Sequence, residues 1–175
     1  MIRLFFCKIL FLIFGFSACA QVPAQRPAVE NPDFDRRLTS LLSFTVPLTG
    51  VDELAKDKGE VYILDAREEE EYKVSHIPGA RYIGYDRFKK KTVQDIPKDA
   101  KVVVYCSVGY RSEKIGEKLR KEGFIDVYNL YGSIFEWVNA GYPVENEAGE
   151  KTEAVHTYNK KWSQWVIDGR AKKVF

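Results

Sequence analysis

The fold is decided by the stretch Val102-Val103-Val104-Tyr105-Cys106-Ser107-Val108-Gly109-Tyr110-Arg111-Ser112. Its first four residues form a short apolar run, which is typical of a strand buried on both faces of a parallel sheet. A helix is predicted over residues 112–122, because Ile115 and Leu119 share one face and charged side chains cover the other. Gly123 is suited to end that helix. The stretch therefore predicts a strand, a tight loop that begins at Cys106, and a helix.

The rest of the chain repeats this alternation of strand and helix. Short apolar blocks at 44–46, 61–64, 80–83 and 127–130 predict further strands, and amphipathic segments at 51–58, 68–74 and 133–139 predict helices. The alternation predicts a single α/β domain over residues 40–145 with a largely parallel sheet. Ligands bind such sheets at the carboxyl ends of the strands, which is where Cys106 lies.

The loop after this strand has the composition of a reactive cysteine site. Gly109 lets a short loop curl so that several N–H groups point inward, and the following helix adds its positive N-terminus. Arg111 supplies a fixed positive charge, and both features lower the pKa of a thiol. We therefore expect Cys106 to be a thiolate nucleophile, rather than an inert buried cysteine, with Arg111 binding the substrate. The backbone of the loop residues completes that site: Ser107, Val108, Gly109, Tyr110 and Ser112.

Four motifs resemble those of the rhodanese family. The run from Cys106 to Ser112 resembles its active-site loop, and Leu64-Asp65-Ala66-Arg67-Glu68 resembles its Asp-x-Arg motif. The run His76-Ile77-Pro78-Gly79-Ala80 resembles its His-Ile-Pro-Gly-Ala motif, and Gly141-Tyr142-Pro143-Val144 resembles the usual end of the domain. The resemblance covers roughly residues 40–145 in the order and spacing of the family.

The resemblance implies a three-layer domain with a central, mostly parallel five-stranded sheet flanked by helices. It implies a sulfurtransferase in which Cys106 carries sulfur as a persulfide, with thiosulfate or a persulfide as donor. The acceptor would be a small nucleophile, such as cyanide, or a protein thiol. The resemblance implies no metal or organic cofactor, and His76 and His156 offer no ligand spacing for zinc around the cysteine.

The family pattern also gives roles to three polar residues outside the loop. Arg67 would meet the substrate anion while Asp65 fixes the local geometry, and the alternative is that the two form a structural ion pair. His76 would belong to a turn that positions the next strand. We assign it no catalysis, because an ionised thiol needs no separate base.

Two positions depart from the family pattern. Ser107 stands where many relatives that use thiosulfate carry Arg, so a cation near the donor is missing and thiosulfate is disfavoured as the physiological donor. The usual Gly-Gly after the last strand is Gly132-Ser133, and Ser133 is predicted to cap the following helix.

Two other functions remain as alternatives. Cell-cycle phosphatases share this fold but place five residues between Cys and Arg, whereas Cys106 and Arg111 enclose four, a smaller ring that suits sulfur better than phosphate. The other alternative is a non-enzymatic binding module at the cell envelope, whose thiol has no chemical role.

Residues 1–20 are predicted to be a signal peptide, with Arg3 and Lys8 before an apolar run and small residues at the end. Cleavage before Gln21 is one prediction. The other is a lipoprotein signal with Cys19 as the lipidated first residue, from which Phe16 departs. We expect export to the periplasm or cell envelope, with a lipid anchor as the only membrane contact.

The charge of the chain gives no sign of a nucleic-acid partner. The net charge of +2 equals that of the signal segment, which carries two cations and no acid, so the remainder is balanced. Two of the three cysteines, Cys7 and Cys19, also belong to that segment. Cys106 is then the sole thiol of the domain, which excludes an internal disulfide.

The segments on either side of the domain have contrasting compositions. Residues 21–39 contain Pro23, Pro27 and Pro32 without an apolar period, and they predict a linker with no fixed structure. Residues 146–175 form an aromatic and basic tail. Tyr158, Trp162 and Trp165 have helical spacing and are predicted to share a helix face that packs back onto the domain, the alternative being an exposed patch that recognises a partner.

Overall fold

The computed structural model describes residues 22–57 and 59–175, and its centre is a five-stranded parallel sheet. The strand order is β1-β5-β4-β2-β3, where the strands are β1 (Leu48–Thr49), β2 (Val61–Asp65), β3 (Arg81–Tyr82), β4 (Lys101–Tyr105) and β5 (Val127–Leu130). All four pairings are parallel, which confirms the predicted sheet. The predicted signal peptide, including Cys19, lies outside the described residues.

Helices cover both faces of the sheet. Side chains of α1 (Pro32–Leu41), α2 (Val51–Lys56) and α5 (Ser133–Asn139) belong to one apolar cluster, and those of α4 (Tyr110–Lys121) belong to the other. Strand β4 serves both clusters, because Val103 faces the first and its neighbours Val102 and Val104 face the second. This is why its sequence is continuously apolar. The helix α3 (Glu69–Val74) links β2 to β3.

The prediction of a linker over residues 21–39 is wrong for its second half. Helix α1 begins there, and Phe34 and Leu38 are both 0% exposed. Asn31 accepts hydrogen bonds from the N–H groups of Asp33 and Phe34, and a proline follows it at the first helical position, where its missing N–H costs nothing. Only two residues of α1, Phe34 and Leu38, are fully buried, so its packing partners decide the helix more than its own pattern does.

The strand predicted at 44–46 is also displaced, to Leu48–Thr49. Phe44 has a φ of +55°, which is incompatible with an extended strand. The N–H groups of Ser43 and Thr45 donate at 2.9 and 3.0 Å to the carboxylate of Glu113 on α4 instead of to a neighbouring strand. The buried Glu113 carboxylate therefore accepts the hydrogen bonds that these backbone N–H groups would otherwise donate to a neighbouring strand.

The tail forms short strands instead of the predicted helix. Strand β6 (Val144–Glu145) pairs with β7 (Lys151–Thr152), and β8 (Ala154–His156) pairs with β9 (Lys172–Val174). A single 3-10 turn spans Ser163–Trp165. Packing against the domain is nevertheless confirmed for Trp162 and Trp165, and the ring of Trp165 stacks on that of Phe34 with centroids 5.5 Å apart.

Within the described ranges 22–57 and 59–175, the helices are too short or too polar to cross a lipid bilayer.

Candidate active site

Cys106 lies in the loop between β4 and α4, at the carboxyl end of the central strand. The loop turns back at Gly109, whose φ of +118° is favoured only for glycine. This turn brings the Gly109 N–H to 3.1 Å from the Cys106 sulfur, and the Ser112 hydroxyl lies 3.6 Å from the same atom. The cysteine is 1% exposed, so its sulfur is held by donors at the floor of a cleft.

The surroundings of the thiol favour its ionised form. Burial by itself would raise the pKa of Cys106, but the positive charge of Arg111 and hydrogen bonds from Ser112 and Gly109 together outweigh it. The pKa of the Cys106 thiol therefore lies below its ordinary value. The direction of this shift is the one expected from the sequence.

Two buried polar residues that sequence reasoning missed hold the loop in shape. The Asn129 amide donates to the Gly109 carbonyl at 3.0 Å, and its oxygen lies 2.7 Å from the Ser112 hydroxyl. The Ser133 hydroxyl accepts the Cys106 N–H at 3.2 Å and donates to the Leu130 carbonyl. Asn129 is a polar residue inside the apolar block at 127–130, and this position was the sequence feature that could have indicated its role.

The predicted cap role of Ser133 is wrong. The residue before the helix is Gly132 with a φ of +74°, while Ser133 is itself the first helical residue and has a φ of +54°. Its side chain points to the Cys106 loop instead of to the end of its own helix. The hydroxyl therefore supports the site and leaves helix capping to the backbone.

Arg111 is paired with a carboxylate that the sequence did not reveal. Its guanidinium donates to the two oxygens of Glu71 at 2.6 and 2.8 Å, and to the Ser107 hydroxyl at 2.9 Å. Although burial would raise the pKa of Glu71, the bonds and charge of Arg111 hold it at about 2. Glu71 is one of several acids in a row, so nothing in its local pattern distinguishes it. The positive charge of Arg111 is thus balanced by the buried carboxylate of Glu71.

Arg67 does not reach the site as a substrate ligand, and that prediction is wrong. Its side chain is 0% exposed and donates to Asp65 at 2.6 Å and to the Ser75 carbonyl at 2.6 Å. Burial would lower the pKa of Arg67, but Asp65 keeps it above its ordinary value. The Tyr105 hydroxyl also donates to Asp65, at 2.6 Å. The ion-pair alternative is the one that the structure adopts.

His76 ties the start of the tail to the domain. Its backbone exchanges hydrogen bonds with Glu145 at 2.8 and 3.0 Å, and its ring stacks on Tyr72 with centroids 3.9 Å apart. One ring nitrogen lies 3.1 Å from the Tyr72 carbonyl oxygen. These contacts are those of a structural residue.

The sulfur of Cys106 opens into a cleft of about 410 Å³. The loop contributes Cys106, Ser107, Val108, Tyr110 and Arg111 to its lining, while Gly109 and Ser112 act on the sulfur from the loop itself. The other walls come from elsewhere in the chain: Leu41, Glu68, Tyr85, Asp86, Tyr158 and Trp162. The last two belong to the tail, which the sequence did not place at the site.

The chemistry of the cleft is that of a single nucleophile. Among residues 22–57 and 59–175, His, Cys, Asp and Glu side chains do not gather in threes in a way that could hold a metal ion. The fold and the loop together define a class of protein: an α/β domain with a cysteine of lowered thiol pKa at the carboxyl end of a parallel strand.

A family model described as "Rhodanese-like domain" matches residues 50–140, and the chain belongs to this family. The structure is similar to a rhodanese-like domain protein from Staphylococcus aureus, with a TM-score of 0.51 and 29% identity, covering 58% of this chain and 98% of that one. It is also similar to a thiosulfate sulfurtransferase from Pseudomonas aeruginosa, with a TM-score of 0.52 and 25% identity, covering 58% of this chain and 20% of that one.

A curated relative is considerably longer than the matched region. The tRNA uridine(34) hydroxylase of Aster yellows witches'-broom phytoplasma is 35% identical over 105 residues, which covers 49% of this chain and 34% of that protein. The chain therefore spans about a third of the length of this relative. The likeness concerns the rhodanese-like domain.

Proposed function

We propose that this protein is a sulfurtransferase that accepts sulfane sulfur as a persulfide on Cys106 and passes it to a small nucleophile or a protein thiol. The observation that carries the proposal is the position of the Cys106 sulfur, 3.1 Å from the Gly109 N–H at the floor of an accessible cleft. The lowered pKa of this thiol supports the same conclusion, because the thiolate is the form that attacks sulfur.

The reaction follows from the donors around this atom. The Cys106 thiolate attacks the outer sulfur of the donor, a new S–S bond forms, and the rest of the donor leaves with the electron pair of the broken bond. The persulfide that results is negatively charged at its terminal sulfur. The Gly109 N–H, the Ser112 N–H and Arg111 stabilise that charge without rearrangement. An acceptor then attacks the terminal sulfur and regenerates the thiolate.

The similarity to a protein named thiosulfate sulfurtransferase supports this proposal. A cysteine phosphatase is disfavoured, because Glu71 already occupies the guanidinium of Arg111 that would have to bind a phosphate dianion. We also propose that the protein is exported to the periplasm or cell envelope, that it meets a membrane only through a lipid on Cys19, and that it has no nucleic-acid partner.

The proposal is tested by thiocyanate formation from cyanide and a set of sulfane donors, including thiosulfate. We expect turnover by the wild type and only background rates for Cys106→Ser. Hydrolysis of an aryl phosphate is assayed in parallel and is expected to be absent. Failure of every sulfane donor, or phosphatase activity that Cys106→Ser abolishes, would contradict the assignment.

A further inference from the structure

The cleft above Cys106 is poorly suited to a small inorganic dianion. Among the residues that the structure describes, its lining includes the acids Glu68 and Asp86 and one cation, Arg111, which is bonded at 2.6 Å to the buried carboxylate of Glu71. The lining therefore repels anions more than it attracts them. A doubly charged donor would meet this repulsion twice over, because the Coulomb energy scales with the charge of the ligand.

The size and surface of the cleft favour an organic ligand. A volume of about 410 Å³ falls in the range of sites for organic molecules and is far larger than thiosulfate requires. Apolar and aromatic side chains line it on several sides: Leu41, Val108, Tyr85, Tyr110, Tyr158 and Trp162. Such walls give favourable contacts to carbon groups and little to an oxyanion.

Part of this wall lies outside the region that matches the family model. Leu41 comes from α1, and Tyr158 and Trp162 come from the tail. The two segments are held together by the stacked rings of Phe34 and Trp165, and by the Arg37 guanidinium, which lies 5.3 Å from the centre of the Trp162 ring. The aromatic wall is therefore held in place by contacts between α1 and the tail.

Tyr158 connects this wall directly to the reactive loop. The Arg111 guanidinium lies 5.5 Å from the centre of the Tyr158 ring, within the range of a cation–π contact. Tyr158 is nevertheless 55% exposed, so part of its surface is free to contact a ligand. The backbone of Tyr158 has a φ of +64°, which is an uncommon conformation. The Tyr158 N–H stabilises it by donating a hydrogen bond to the Nδ1 atom of His156 at 3.1 Å.

We propose that the sulfur donor is a small organic persulfide, R–S–SH, whose carbon group is uncharged or positively charged and packs against Tyr158 and Trp162. This proposal rests on the proposed function and names the substrate class of the same site. Glu68 and Asp86 are the specificity residues that disfavour thiosulfate and persulfides with a further negative charge on the carbon group, and the aromatic wall selects the carbon group.

The step balances without a further reagent. The Cys106 thiolate attacks the terminal sulfur of R–S–SH, the bond between the two donor sulfurs breaks, and R–S⁻ leaves with its electron pair. The proton of the donor SH passes from the new persulfide to the departing thiolate. The products are R–SH and the Cys106 persulfide anion, and no net oxidation occurs.

The charge part of the proposal is tested with three persulfides that differ in charge, made from cysteamine, benzyl mercaptan and thioglycolate, together with thiosulfate. The rate of sulfur loading onto Cys106 is followed by intact mass. The double variant Glu68→Gln/Asp86→Asn should speed loading from thioglycolate persulfide and thiosulfate about three- to tenfold at low salt, and the gain should shrink at high salt. The control is Glu70→Gln/Asp99→Asn, which removes two exposed acids outside the cleft and should change no rate.

The aromatic part is tested with Tyr158→Ala. Loading from benzyl persulfide should slow about five- to tenfold, since an aromatic contact is lost, while loading from thiosulfate should stay within about twofold. Phe175→Ala is the matched control, because Phe175 is a 63% exposed aromatic residue of the same tail and lies outside the lining of the cleft.

The outcomes separate this proposal from the proposed function. Loading by all donors at rates that the variants leave unchanged, or change in parallel, would overturn the substrate class while the sulfurtransferase activity stands. Preference of the wild type for thiosulfate over every organic persulfide would do the same. Loading by none of the donors would overturn the proposed function and this inference with it.

Discussion

At the scale of single residues, the reactivity of Cys106 results from two opposing effects. Burial disfavours the thiolate, and the nearby charge and donors favour it strongly enough to lower its pKa. The pairing of Arg111 with Glu71 moderates the second effect, because a carboxylate beneath the guanidinium cancels part of its field. The ionisation of Cys106 therefore depends in part on two residues on different helices, Arg111 and Glu71.

We expect these two residues to move the pKa of Cys106 in opposite directions. Arg111→Gln removes the favourable charge, so the pH midpoint for alkylation of Cys106 should rise by about one pH unit or more. Glu71→Gln removes the opposing charge, so the midpoint should fall. In the wild type, alkylation should persist below the ordinary thiol pKa and stop as the pH falls through the lowered value. Rates of alkylation by iodoacetamide, measured at a series of pH values between about 5 and 10, give the midpoints. Shifts in the same direction would contradict the account.

The buried pair of Asp65 and Arg67 makes a second residue-scale prediction, about stability. Asp65→Asn leaves the fully buried guanidinium without its counter-charge, and breaking a buried pair in this way costs about 3–5 kcal/mol. Urea unfolding should show a loss of this order. Asp99→Asn, at an exposed position, should stay within about 0.5 kcal/mol of the wild type. Equal stability of the two variants would show that the pair is not needed for folding.

The sequence made the loop and the place of Cys106 at its start predictable, because Cys106, Gly109 and Arg111 lie within one short run. It did not make their supports predictable. Glu71, Asn129 and Ser133 come from three other segments, and only the folded chain brings them against the loop. The same limit applies to Arg67, since sequence alone left open whether its charge faces a substrate or its neighbour Asp65.

At the scale of elements, helix α1 shows how a weak local pattern becomes a fixed structure. Its two core residues would not hold an isolated helix of ten residues together. Packing of Phe34 against Trp165 and of Leu38 into the same cluster supplies the missing stability. A helix that depends on partners so far away in the sequence could not be distinguished from a linker. By contrast, the strand at Val127–Leu130 and the helix at Ser133–Asn139 were predicted with the bounds observed, because all their residues are buried except the half-buried Tyr128.

We therefore expect Phe34→Ala to destabilise the whole domain by about 3–5 kcal/mol, the usual cost of emptying a buried aromatic site. The same variant should slow loading from organic persulfides, because α1 carries Leu41 in the wall of the cleft. Ile125→Ala serves as the control, since that side chain is 77% exposed. Wild-type stability of Phe34→Ala in urea unfolding would mean that α1 is only loosely attached.

At the scale of the whole molecule, the two segments that flank the family domain converge on its site. Neither segment was expected there, since most of α1 was predicted to be an unstructured linker and the tail a helix that packs on the domain at no stated place. Val155 and Val166 of the tail are buried in the apolar cluster of the domain, and His76 hydrogen-bonds to Glu145 just before the tail. The family domain thus supplies Cys106 and most of the lining of the cleft, and the flanking segments add Leu41, Tyr158 and Trp162.

Export is the prediction that rests on residues 1–20 and concerns where the whole molecule is located. We expect the mature protein to begin at a lipid-modified Cys19 or at Gln21, as determined by mass analysis of its first peptide. If Cys19 is lipidated, Cys19→Ser should release the protein from the membrane fraction. A protein that retains Met1 and stays in the cytoplasm would contradict export, and it would leave the chemistry at Cys106 untouched.

The central claim is that Cys106 carries sulfur. The most direct measurement is the intact mass of the protein after incubation with an organic persulfide and removal of excess reagent, before and after addition of cyanide. The account predicts a gain of one sulfur atom that cyanide removes, with the gain absent in Cys106→Ser. A wild-type mass that no donor changes, or a gain that persists in Cys106→Ser, would contradict it.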